Sequence, residues 1–164
     1  MPRVLLTTNK GDVLLELFEN EAPNTVANFV SLVERGFYDG LAFHRVIPAF
    51  MAQGGMQTDP SKAVNYTIKC ECYQDNARRH FTGSLSMAKT QQRDTGSTQF
   101  FITHLPTPHL DREIAPESVH TVFGRVVEGM DAVAAITQGD RIVTATVERK
   151  RGHEYKPVTQ PAAP

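Results

Sequence analysis

Phe43-His44-Arg45-Val46-Ile47-Pro48-Ala49-Phe50-Met51-Ala52-Gln53-Gly54-Gly55 reads as two short strands, Phe43 to Ile47 and Met51 to Gln53, around a turn. Alternation on the first strand puts Arg45 with Phe43 and Ile47, opposite His44 and Val46. A guanidinium on an otherwise apolar face is expensive to bury unless it has a partner or a task. A structural ion pair and a working cation are both open at this point. Met51 and Gln53 share a face of the second strand. An amide such as Gln53 holds a guanidinium in place without cancelling its charge, which a carboxylate would do.

The flanking chain is written in the same short units. Upstream, Val4 and Leu6 alternate on a first strand and Val13, Leu15 and Leu17 on a second. The polar quartet Asn9-Lys10-Gly11-Asp12 between them signals a hairpin. Pro23 suits the first turn of a helix. Val26, Phe29, Val30 and Val33 give it an apolar stripe, and Gly36 a stop. Downstream, Tyr66 to Cys70, Ser84 to Ala88, Gln99 to Thr103, Thr121 to Val127 and Ile142 to Arg149 read as strands, with a short helix over Met130 to Ile136. Many short strands separated by turn residues predict a mainly β domain, an antiparallel barrel or sandwich.

Length and composition admit one such domain. The chain has 164 residues, 40% hydrophobic and 21% charged, and a formal net charge of −1. That balance gives no general pull toward nucleic acid or an anionic membrane. Arg149-Lys150-Arg151 reads as a solvated strand end. No apolar run approaches membrane-spanning length, and the apolar part of the N-terminus is too short for a signal-peptide core, so a cytoplasmic location is the expectation. From Arg151 the chain turns polar and Pro/Ala-rich. The expected organisation is a domain over residues 1–150 and a flexible C-terminal tail over 151–164. Cys70 and Cys72 would point the same way from one strand, which disfavours a relaxed disulfide between them. Half a zinc site with His80, or two reduced thiols, remain; no second cysteine pair exists to close a tetrahedral site, so no metal is expected. His80, His104 and His153 have no partner spacing and read as surface or satisfied polar residues, and His44 as structural.

Three further segments complete the pattern: Gly83-Ser84-Leu85-Ser86-Met87-Ala88-Lys89, Gly96-Ser97-Thr98-Gln99-Phe100-Phe101-Ile102-Thr103, and His120-Thr121-Val122-Phe123-Gly124-Arg125-Val126. Alone, each is a core strand with a turn glycine. In this order, with the Phe43–Gly55 stretch, they resemble the cyclophilin family of peptidyl-prolyl cis–trans isomerases over roughly residues 2–150. The resemblance implies a closed eight-stranded antiparallel β-barrel capped by two α-helices, with a shallow site on its outer face. It implies Arg45 as the catalytic arginine and Gln53 and Gln99 as polar positioning residues. Phe50, Met51, Phe101, Leu110 and His120 become the walls of a proline pocket, and Ala88 and Lys89 the strand that pairs with a peptide backbone. No cofactor is implied. The expected partners are proline-containing peptides and protein clients, met by a monomer that assists folding. The alternative is a module that grips proline segments without turnover.

These residue types suit bond rotation. An Xaa-Pro bond turns slowly because amide resonance must be broken. In the twisted transition state the proline nitrogen recovers its lone pair, and a fixed N–H donor binds that state better than the planar one. An arginine side chain stays charged at any working pH and can be aimed rigidly. No nucleophile or acid–base pair is required.

The sequence departs from the family pattern in four places. Ala49 stands where the family usually has Gly, and Lys89 where Asn is common. His109 replaces a tryptophan that, by the resemblance, packs on cyclosporin, so weak binding of that drug is expected. The segment Asp111 to Val119 is longer than in short members and should project near the pocket rim.

Overall fold

The computed structural model describes residues 1–162. β1 (Arg3–Thr8) and β2 (Gly11–Leu17) form the predicted hairpin, Thr8 facing Gly11 across the Asn9-Lys10 turn. The strands that follow are β3 (Arg45–Ile47), β4 (Met51–Gly54), β5 (Tyr66–Thr67), β6 (Ser84–Met87), β7 (Phe100–Thr103), β8 (Val122–Glu128), β9 (Ile142–Arg149) and β10 (Gln160–Pro161). Eight of them build one antiparallel sheet in the order β3-β4-β7-β6-β8-β2-β1-β9. The helices are α1 (Pro23–Glu34), which packs on β9, and α2 (Met130–Ala135), which packs on β2.

The eight-strand mainly β fold with two helices is as expected, but the ladder does not close. Its edges, β3 and β9, are joined by an irregular seam: Phe43 N–H donates to Asp140 at 2.7 Å, Gly40 N–H to Ile142 at 2.8 Å and Ile142 N–H to Leu41 at 2.9 Å. Phe43 is fully buried, and the turn at Gly139, with φ of 94°, re-aims the other side, so regular pairing gives way there.

The predicted stripe of α1 supplies the core. Phe29 packs against Tyr38, Phe100 and Phe123 at ring distances of 5.3 to 5.5 Å. The residue ahead of the helix, Ala22, offers no side-chain cap. Glu71 does so from 46 residues away, its carboxylate accepting the Thr25 N–H at 2.6 Å and hydroxyl at 2.7 Å; it also accepts the Asn24 N–H at 3.2 Å. A negative charge there satisfies orphan donors and opposes the helix dipole. Gly124 is obligatory for a packing reason: a Cβ would lie 2.7 Å from the Glu16 carbonyl.

Two expectations meet a different outcome. Cys70 and Cys72 are joined in a disulfide across a Cα separation of 5.5 Å. The strand premise fails because β5 ends at Thr67; beyond it the Cys70 N–H goes to the Asp94 carboxylate and the Glu71 N–H to the Thr121 hydroxyl, so the pleat that would hold the side chains parallel is absent. His80 bonds elsewhere, and among the described residues no group of three or more His, Cys, Asp or Glu could hold a metal ion.

The segment expected as a flexible tail is docked as far as it is described. Arg151 pairs with Glu19 at 2.7 Å and Tyr155 is buried to 6% exposure. Val158 exchanges two hydrogen bonds with Asn24, at 2.7 and 2.9 Å, and β10 pairs with β5. Composition signalled mobility because the anchors are single residues spaced along a polar stretch. Residues 163–164 lie outside the described residues.

Candidate active site

Arg45 stands directly opposite Gln53, Gln53 opposite Phe101, and Phe101 opposite Ser86. Opposed residues in an antiparallel sheet project from the same face, so β3, β4, β7 and β6 carry one continuous row. Arg45, at the edge, is exposed on the outside of the barrel. The costly burial that the sequence suggested does not arise, and neither does an ion pair: its Nη1 donates to the Gln53 amide oxygen at 3.5 Å, a long contact. Gln53 Nε2 in turn donates to Gln99 Oε1 at 3.0 Å.

The turn between β3 and β4 carries Phe50 over the row. Ala49 makes this turn with φ of 60°, the left-handed region that explains why glycine suits the position. The chain between β7 and β8 supplies the far wall through Leu110 and His120. Phe101 is 4% exposed and meets the His120 ring edge-on at 5.3 Å. His120 Nδ1–H donates to the Met87 carbonyl at 2.9 Å, which fixes the ring. Burial pulls the His120 pKa down to about 4, with the nearby Lys89 cation contributing, so the imidazole is neutral at ordinary pH.

These side chains enclose a shallow pocket of about 260 Å³. Its lining comprises Arg45, Gln53, Phe50, Met51, Phe101, Leu110 and His120, together with Ala88 and Lys89. Gln99 faces a neighbouring pocket of about 200 Å³ with Thr95, Ser97 and Thr98, and Gln53, Ala88 and Lys89 border both. His109 stands at the rim, its ring 5.5 Å from that of Phe50. Ala88 lies just past the end of β6, and its N–H is engaged by the Gln99 carbonyl at 3.0 Å. The Lys89 pKa is lowered by burial.

The sequence missed what lies behind this pocket. Of the two readings open for His80, a surface or a satisfied polar residue, the second holds: it is 2% exposed and bonded to Asp111 and Ser86, though nothing in the sequence placed it behind the pocket. Its partners are 31 and 6 residues away, and no local spacing signals either.

The match to known proteins is extensive. The family model for cyclophilin type peptidyl-prolyl cis-trans isomerases covers residues 3–156. This chain belongs to the cyclophilin-type peptidyl-prolyl cis–trans isomerases. The cyclophilin is 47% identical over 150 residues to a peptidyl-prolyl cis-trans isomerase of Synechococcus elongatus, covering 90% of this chain and 97% of that one. It is also 47% identical to peptidyl-prolyl cis-trans isomerase B of Bacillus subtilis, covering 87% of this chain and 95% of the relative. Among solved structures, a cyclophilin of Hirschia baltica superposes with a TM-score of 0.76 at 26% identity, over 88% of this chain and 73% of that one. A Cryptosporidium parvum cyclophilin-type isomerase, crystallised in the presence of the dipeptide Ala-Pro, gives 0.74 at 26% identity, over 90% and 99%. The described residues include no helix long and apolar enough to cross a membrane.

Proposed function

We propose that this cyclophilin isomerises Xaa-Pro bonds with the proline ring seated among Phe50, Met51, Phe101, Leu110 and His120, and with Arg45 as the donor to the proline nitrogen in the twisted state. The observation that carries the reading is the row Arg45–Gln53–Phe101, which sets a guanidinium at the mouth of an apolar pocket on three hydrogen-bonded strands. The pocket removes water from the amide, and the guanidinium stabilises the lone pair that appears only as the bond twists. Gln53, tied to Gln99, positions Arg45 without neutralising it. Backbone groups at Ala88 and Lys89 hold one side of the bond while the other turns. The Ala-Pro dipeptide used with the Cryptosporidium relative fits this assignment of the pocket.

The same reading takes proline segments of folding or folded proteins as clients, a monomeric state, a cytoplasmic location and weak cyclosporin binding at the His109 rim. The test of the mechanism is isomerisation of an Xaa-Pro peptide panel by Arg45→Ala. With the fold intact by circular dichroism, kcat/KM should fall about 100-fold, the scale of losing one transition-state donor. Arg45→Lys should rescue poorly, because it lacks the planar fork. A near-normal rate in folded Arg45→Ala would remove Arg45 from the mechanism.

A further inference from the structure

We propose that His80 and Asp111 are positioning residues of this isomerase, a buried polar clamp that sets the plane of Phe101 and ties together three walls of the proline pocket. The His80 ring lies parallel to Phe101, 6.0 Å between centroids and 4° between planes, on a side chain with no exposed surface. His120 meets Phe101 edge-on at 5.3 Å, so Phe101 is held between two imidazoles.

The hydrogen bonds of His80 reach the rest of the site. Asp111 Oδ1 accepts its backbone N–H at 2.7 Å and its Nδ1–H at 2.8 Å. Asp111 directly follows Leu110, and the Leu110 carbonyl accepts the His120 N–H at 3.3 Å. The clamp therefore anchors the turn that presents Leu110 and carries His109. Burial pushes the His80 pKa below its ordinary value against the opposing pull of Asp111, and Nε2 lies 2.8 Å from the Ser86 hydroxyl, whose oxygen also reaches the Thr121 carbonyl at 3.2 Å. Ser86 is the residue opposite Phe101 on β6 and precedes Met87, whose carbonyl holds His120.

An apolar side chain would fill this volume without the desolvation cost of an imidazole and a carboxylate. Two ring nitrogens with fixed partners instead allow one orientation of the ring, and hence of the Phe101 face packed on it. The reaction itself never touches His80.

The inference rests on Phe101 being a wall of the proline pocket, so Phe101→Ala is run beside the clamp variants. His80→Asn keeps a donor for Asp111 but removes the flat ring and the reach to Ser86. Asp111→Asn is isosteric and milder, and keeps the question open to test if His80→Asn folds poorly. The assay is isomerisation of an Ala-Pro-containing tetrapeptide, with active fraction fixed by circular dichroism and thermal melts. A purely structural role would reduce the folded fraction, lowering apparent kcat at unchanged KM. Positioning predicts a KM about fivefold or more higher in His80→Asn and two- to threefold higher in Asp111→Asn, with kcat per folded molecule within about twofold. If Phe101→Ala raises KM while both folded clamp variants keep the wild-type KM, the clamp is refuted and the pocket stands. If Phe101→Ala leaves KM unchanged, the pocket reading itself fails and the clamp with it.

Discussion

His109 and His120 are two imidazoles of the same site, one at the rim and one in the wall, with different consequences. His109 is exposed at the rim beside Phe50. By family resemblance a tryptophan here packs on cyclosporin and donates its indole N–H. Imidazole buries less apolar surface, a loss on the order of 1–3 kcal/mol, or one to two decades of affinity. His109→Trp should therefore tighten cyclosporin inhibition in a titration while kcat/KM barely moves; no tightening would shift the cause to the long segment Asp111 to Val119. His120 titrates in the fold near pH 4 and, once unfolded, near the ordinary value of about 6.5. Between those values the unfolded chain binds the extra proton, so the stabilising contribution is complete above about pH 6.5 and is lost as pH falls toward 4. With partial solvent screening, about 2 kcal/mol should disappear from urea-unfolding free energies over that window. His44, His80 and His104, whose pKa values are also lowered by burial, act in the same direction. With His120 neutral across it, the proposed catalysis should stay level from pH 8 to about 5.

The β3–β4 hairpin shows how much of an element is legible in advance. Its two strands and the sharing of a face by Met51 and Gln53 follow from alternation alone. The loss of Phe43 from the strand does not, because Phe43 is drawn into the seam with Asp140, nearly a hundred residues away. Likewise β5 shrinks to Tyr66–Thr67, since its partner is a segment whose proline composition argues against a strand. Contacts set by local period were readable; those set by a distant partner, including the Glu71 cap and the His80 clamp, carried no local mark, and the Cys70–Cys72 disulfide was missed because the strand assumed there ends at Thr67. The turn of the hairpin makes a prediction of its own. Ala49 at φ of 60° is strained by its Cβ. Ala49→Gly should stabilise the fold by about 1 kcal/mol in chemical denaturation, even after the added freedom of the unfolded chain, and leave turnover unchanged. A destabilised variant would show that the turn relaxes its alanine by other means.

Across the whole molecule, stability and chemistry are carried by different parts. The C-terminal strap crosses α1 and pairs with β5, on contacts that involve no pocket residue. Tyr155→Ala should therefore cost about 2–4 kcal/mol in urea unfolding, the scale of truncating a buried aromatic. Per folded molecule, isomerisation should be unaffected; a raised KM would mean that the strap reaches the site. The proposed reacting groups sit on ladders instead. A slip of one residue in β3 or β4 would turn Arg45 or Gln53 to the opposite face and apolar neighbours outward, so a chain in the wrong register loses its core along with its catalyst. The loops spanning 89–97 and 104–120 border the pockets without belonging to a ladder. A residue added to or lost from a strand would shift that register, whereas one in 90–95 or 112–119 would leave every ladder in place. A change of length in those stretches alters what borders the pocket while the strands that carry the proposed reacting groups stay as they are.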